Sequence, residues 1–166
     1  MLASIKMDNL NNSLEDIRDI FSVLHDGGIV SWAYDKCALT LKIECEYLAE
    51  RIDKTFQSFT IKLDEVQKLE FGPWLAEGNL QHSNFNNIDE IFQGELILSS
   101  ATIEADYVKI YCNQRYSKFG YSGGELLLNA KAITLFDHAG QPLSVDEILK
   151  IGKEYWEDWN NRVNSR

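Results

Sequence analysis

Leu24-His25-Asp26-Gly27-Gly28-Ile29-Val30 is the stretch at which the chain changes its period. Before it, Leu10, Leu14, Ile17, Ile20, Phe21 and Leu24 recur at spacings of three and four. That recurrence puts them on one face of a helix over about 13–24. After it, apolar residues alternate with polar ones, the signature of half-buried strands. The glycine pair between the two patterns marks a turn. Ser13 with Asp16 three residues later resembles a capping box with Asp in place of Glu. His25 falls near the helix C-terminus, and Gly27 or Gly28 is expected to take the left-handed position that ends a helix.

Downstream of the turn, 29–34 and 39–45 read as strands, with Tyr34-Asp35-Lys36-Cys37 as their connection. In the second run Leu39, Leu41, Ile43 and Cys45 lie on one face and Thr40, Lys42 and Glu44 on the other. Residues 47–52 fit either a short helical turn or a continuation of the strand. Residues 59–63 and 66–71 read as a third and a fourth strand, separated by a turn at Asp64-Glu65 and ended by Gly72-Pro73. The Asn-rich segment 76–90 reads as a loop with one helical turn at most. Strand patterns then cover 92–102, 106–112 and 125–136, with a turn-rich connector over 113–124. Ser144 and Glu147 form a full capping box that opens a last helix over about 144–162, weakened in its middle by Gly152. Helix, about seven strands, helix, joined by hairpin-length links, predicts a single α+β domain over 1–166. Its sheet is mostly antiparallel and is flanked by an N-terminal and a C-terminal helix.

The net charge of −10, from 26 acidic and 16 basic residues, repels phosphate and argues against nucleic acid as a partner. It suits attraction to a protein with a basic surface. Three cysteines, Cys37, Cys45 and Cys112, form no CxxC pair and indicate a reducing compartment. The first residues carry no apolar signal-peptide core, and no apolar run is long enough to span a membrane. A cytoplasmic protein without membrane contact is expected. Nothing in the sequence sets the oligomeric state.

His25-Asp26 is the most chemically suggestive pair, because a carboxylate beside a His can orient it and raise its affinity for a proton. The structural alternative has His25 serving the helix C-terminus and Asp26 bonding backbone amides in the turn. His82 and His138 lie in loops near Asp89, Glu90 and Asp137, without the paired spacing of a zinc site, so neither metal nor cofactor is expected. No nucleophile elbow or P-loop is present. The connector 115–121 interleaves Arg115 and Lys118 with Tyr116, Phe119 and Tyr121, a composition suited to a protein contact or to packing. Trp156-Glu157-Asp158-Trp159 has the look of a docking motif, although its helical spacing points to burial of both rings.

Phe21-x-x-Leu24-His25-Asp26-Gly27-x-Ile29, followed by alternating Leu39, Leu41 and Ile43, resembles a group of small bacterial proteins. These carry an F/L-H-D-A/G-x-hydrophobic opening ahead of a β-rich domain, and some are Imm50-like immunity proteins of polymorphic toxin systems. The resemblance covers roughly residues 21–71. It implies a cytosolic, non-enzymatic α+β protein that binds and neutralises a toxin domain, with the acidic balance suited to a basic partner. The competing expectation is a small enzyme or ligand-binding domain with a site around His25 and Asp26. The candidate site residues are His25, Asp26, His82, Arg115 and Tyr116.

Overall fold

The computed structural model describes residues 2–75 and 83–166. His82 and residues 76–82 of the segment read as a loop lie outside them, and so does the side chain of Leu10. The first helix, α1, runs over Leu2–Val23 and begins well before Ser13. No Gly or Pro stands between residues 2 and 23 to stop it. Ser13 is therefore not an N-cap. It sits inside the helix, buried, and its hydroxyl donates to the Ala130 carbonyl at 2.7 Å. The predicted cap is in fact a strut between helix and sheet.

Among the described residues the strands are β1 (Gly28–Asp35), β2 (Ala38–Glu44), β3 (Ser58–Leu75), β4 (Leu96–Glu104), β5 (Tyr107–Gln114), β6 (Tyr121–Phe136) and β7 (Pro142–Leu143). Short helices α2 (Glu46–Ala49) and α3 (Ile88–Phe92) lie between them, and α4 (Val145–Asn164) comes last. Every strand pairing is antiparallel, as the hairpin-length links implied. The pairings also return on themselves. β1 pairs β2, β2 pairs β3, β3 pairs β6, β6 pairs β5, β5 pairs β4, and β4 pairs β1. Six strands thus close a ring, and β7 is added at the end of β6. Closure leaves few free strand edges, which otherwise invite pairing with other chains.

The third and fourth predicted strands are one strand. Asp64-Glu65 bends it without ending it: Glu65 adopts φ 48, and the register against β6 shifts between Val66 and Lys68. Pro73 does not end it either. The N–H of Phe71 points away from β6, to the Phe85 carbonyl at 2.9 Å. Two residues on, the proline nitrogen faces the same way, so its missing donor costs the β3–β6 ladder nothing. The strand predicted from Phe92 starts only at Leu96, because Asn87 caps a short helix through Phe92, its Oδ1 accepting from Asp89 N–H.

The core is built by the alternation read in the sequence. Leu39, Leu41 and Ile43 meet Phe59, Ile61 and Leu63, and Val108, Ile110 and Cys112 meet Leu126 and Leu128; all are fully buried. α1 lies on β4, β5 and β6, and α4 lies on α1 and α2. Gly152, read as a weak point of α4, is where the two helices approach. A Cβ there would stand 2.5 Å from Val23 Cγ2. Ser144 accepts from Glu147 N–H at 3.1 Å and Glu147 returns the bond to Ser144 N–H at 2.7 Å, completing the predicted capping box.

The two serines give a comparison. Ser144→Ala removes an exposed cap and should cost about 1 kcal/mol. Ser13→Ala removes a buried strut and should cost about as much, roughly 0.5–1.5 kcal/mol. Urea unfolding of both variants checks this; a silent Ser13→Ala would show that the strut is idle.

Candidate functional site

The corner between α1 and β1 is held by backbone bonds. Leu24 N–H donates to Ile20 O at 3.2 Å, and Gly27 N–H to Leu24 O at 3.0 Å. The left-handed residue is Asp26, at φ 64, and neither Gly27 nor Gly28 has a positive φ. Asp tolerates that region better than most side chains. The glycines serve close approach instead. A Cβ on Gly27 would lie 2.8 Å from both Ile43 Cγ2 and the Leu24 carbonyl, and one on Gly28 would lie 2.8 Å from Arg115 Nη2.

Asp26 does not bond amides in the turn with its side chain, which is largely exposed. Its own N–H donates to Leu98 O at 2.8 Å, while Leu98 N–H donates to Gly27 O at 2.9 Å. With the Gly28–Ile97 pair, these bonds are the β1–β4 seam that closes the ring.

His25 is packed on three sides. Its Nδ1 lies 3.2 Å from the Ser22 carbonyl, an acceptor only, so Nδ1 carries the proton. Its ring stacks on Trp156 at 5.1 Å and 18°, and its carbonyl accepts from Tyr47 Oη at 2.7 Å. Nε2 is 4.0 Å from Asp26 Oδ2, the outer limit of an ion pair.

The two side chains line different depressions. His25 borders a groove between α1 and α4 with Ser22, Val23, Gly152 and Trp156. Asp26 borders an acidic hollow with Glu44, Glu46, Glu50, Tyr47 and Arg115. The structure thus brings Asp26 and Arg115 together and holds His25 beside them. Arg115 reaches over Gly28 and pairs with Glu95 at 3.4 Å. Tyr116 stands apart, half exposed, with Lys118 Nζ 6.0 Å from its ring. His138 has a structural place: it stacks on Phe56 at 5.3 Å, and its Nδ1 accepts from Gln57 N–H at 3.3 Å and Ser58 hydroxyl at 3.0 Å. No group of His, Cys, Asp and Glu suited to hold a metal ion occurs among the described residues.

Around His25 the sequence reading missed an aromatic cluster. Tyr47 packs on Tyr155 at 4.7 Å, Tyr155 on Trp156 at 5.1 Å, and Trp156 on Trp159 at 5.8 Å. Trp159, expected to be buried, is 43% exposed. From Glu157 onward every residue of α4 is exposed, so the face that packs earlier in the helix continues past the body without cover. Arg51 ties this overhang down through an ion pair with Asp158. The signal in the sequence was the W-E-D-W spacing; helical periodicity gives the face but not where its partner elements end.

Burial pushes the Cys45 thiol up to about 11 and also raises the Tyr47 hydroxyl and the Cys112 thiol. No protein-family model matches the chain, and no curated protein or solved structure shows significant similarity to it. Among the described residues no helix is long and apolar enough to cross a membrane.

Two predictions follow from this corner. Gly27→Ala forces a methyl into backbone and Ile43 and should cost about 1–3 kcal/mol, whereas Gly28→Ala displaces only the flexible tip of Arg115 and should leave thermal stability nearly unchanged. Equal melting shifts would refute the distinction. The second concerns pH. Below about pH 9, the ordinary thiol value, Cys45 is neutral folded or unfolded. Between about 9 and 11 the unfolded thiol ionises first, so folding stability falls as pH rises through that window. Denaturant melts at pH 8 and pH 10.5 should show the loss, and Cys45→Ala should reduce it.

Proposed function

We propose that this protein acts without catalysis, in the cytoplasm, by binding a protein partner with a basic surface, and that the α1–β1 corner is the docking face. The observation that carries the reading is Trp159. It is 43% exposed on a helix overhang, in edge contact with Trp156, at a corner that also holds the acidic hollow of Asp26, Glu44, Glu46 and Glu50. Tyr47 belongs to both features. Exposed aromatic anchors beside a charged rim match the anatomy of protein interfaces, where a few Trp, Tyr and Arg side chains carry most of the affinity. The acidic rim supplies selection for a basic partner and accelerates encounter.

The resemblance to immunity proteins of toxin systems gives this reading its specific form, an inhibitor that masks a basic toxin domain. A nuclease fits, because its own surface must attract phosphate.

Affinity capture from the native host tests it. The wild-type chain should recover a basic protein, with recovery falling as salt rises. Trp159→Ala should weaken capture by about 2 kcal/mol at unchanged melting temperature, since the ring lies beyond the core. Glu46→Lys with Glu50→Lys should weaken it further. Full capture by all these variants would move the interface elsewhere, and a neutral or acidic partner would overturn the electrostatic part.

A further inference from the structure

We propose that His25 is a proton-operated control on the docking corner: neutral, it leaves the Asp26 carboxylate to the acidic rim, and protonated, it takes that carboxylate for itself. This control rests on the reading of the corner as the docking face and adds a means of regulating it. The two nitrogens of the imidazole have different duties. Nδ1 donates to the Ser22 carbonyl at 3.2 Å, so it already carries the proton of the neutral ring. An added proton has one place to go, Nε2. Among the described residues Nε2 makes no hydrogen bond, and Asp26 is the one carboxylate that comes within 4.0 Å of it. Protonation therefore turns an idle acceptor into a charged donor beside Asp26 Oδ2.

The other charged groups around the ring are engaged elsewhere. From α1, Asp19 lines the same groove but pairs with Arg18 at 2.9 Å. From α4, Lys153 lines it and lies 3.9 Å from Glu157. From α2, Tyr47 donates its hydroxyl to the His25 carbonyl, and burial keeps that hydroxyl protonated. In the hollow on the other side, Arg115 pairs with Glu95 at 3.4 Å. Asp26 pairs with no Lys or Arg among the described residues, and its side chain is 75% exposed against 31% for His25. It is free to turn to the hollow or to the ring.

Histidine is the side chain that changes charge between about pH 8 and pH 5. At the upper end of that window a basic partner meets the carboxylates of Asp26, Glu44, Glu46 and Glu50. At the lower end the imidazolium stands 4.0 Å from Asp26 and offsets one of them. The same charge lies against Trp156, stacked at 5.1 Å and 18°, where the negative face of the indole favours a cation. Trp156 is in edge contact with Trp159. One proton thus weakens the electrostatic half of the docking face and holds its aromatic half more firmly.

NMR of the isolated full chain between about pH 8 and pH 5 tests the control without a partner protein. The His25 ring protons and the Asp26 side-chain carboxyl signal should move together, with one midpoint. Trilysine at low salt serves as the basic probe of the rim. Its shifts at Asp26, Glu44, Glu46 and Glu50 should saturate at about two- to fivefold higher concentration at the acid end than at the alkaline end, the worth of one exposed ion pair. His25→Gln should abolish both the Asp26 step and the pH dependence, and His138→Gln should keep them. Asp26→Asn, an exposed change that a left-handed position tolerates, should keep the His25 titration and lose the change in trilysine affinity. An Asp26 signal that stays flat while His25 titrates, equal trilysine affinity at both ends, or an unaltered pH dependence in His25→Gln would overturn the control. Failure to capture any partner from the host, with these couplings intact, would instead strike the docking reading and leave the His25–Asp26 coupling in place.

Discussion

The ring of strands depends on a seam one residue pair wide. β1 and β4 meet at Gly28 and Ile97, and the adjoining bonds run between Asp26, Gly27 and Leu98. Elsewhere in the ring each junction is a ladder of six pairs or more. Beside the seam Gly27 faces the Ile43 side chain and the Leu24 carbonyl with no room for a side chain of its own, and Asp26 takes a left-handed conformation. The end of α1, the start of β1 and the closure of the sheet are therefore one constraint. It fixes the side chains around it: His25 turns back to Ser22 and onto Trp156, Asp26 turns out to the acidic hollow, and Arg115 crosses over Gly28.

That constraint also explains why aromatic and acidic groups share a corner. α4 lies beside α1, with Gly152 against Val23, so its later residues are carried past the point where α1 ends. The helix face keeps its apolar character beyond its support, leaving Trp159 half exposed. The chain turns into the sheet at the same place, and the polar ends of β2 and α2 bring Glu44, Glu46 and Glu50 there.

Much of the fold was legible because it follows from period and composition. Alternation at Leu39, Leu41 and Ile43 gave a strand and its buried face, and Ser144 with Glu147 gave the start of the last helix to within a residue. What failed were local signals overridden by tertiary context. Ser13 looked like a cap but bonds a strand far away in sequence. Pro73 looked like a stop but turns its ring nitrogen away from the ladder. Gly27 and Gly28 looked like left-handed turn residues but act through the space they leave, with the dihedral passed to Asp26. For the candidate sites the limit was sharper. His25-Asp26 is adjacent in sequence yet serves two depressions, while Asp26 and Arg115 share one across a long separation.

The length of β3 has a consequence for how the chain reaches this state. Its first residues pair with β2, which precedes it closely, but from Asp64 to Leu75 its ladder is with β6, whose residues lie about fifty to seventy positions later. During synthesis the second half of β3 leaves the ribosome with no ladder to join until β6 has been made. Asp64, Glu65, Lys68 and Glu70 punctuate that segment with charge. Charge on an unpaired strand disfavours its association with other chains, so these residues suit a strand made well before its partner.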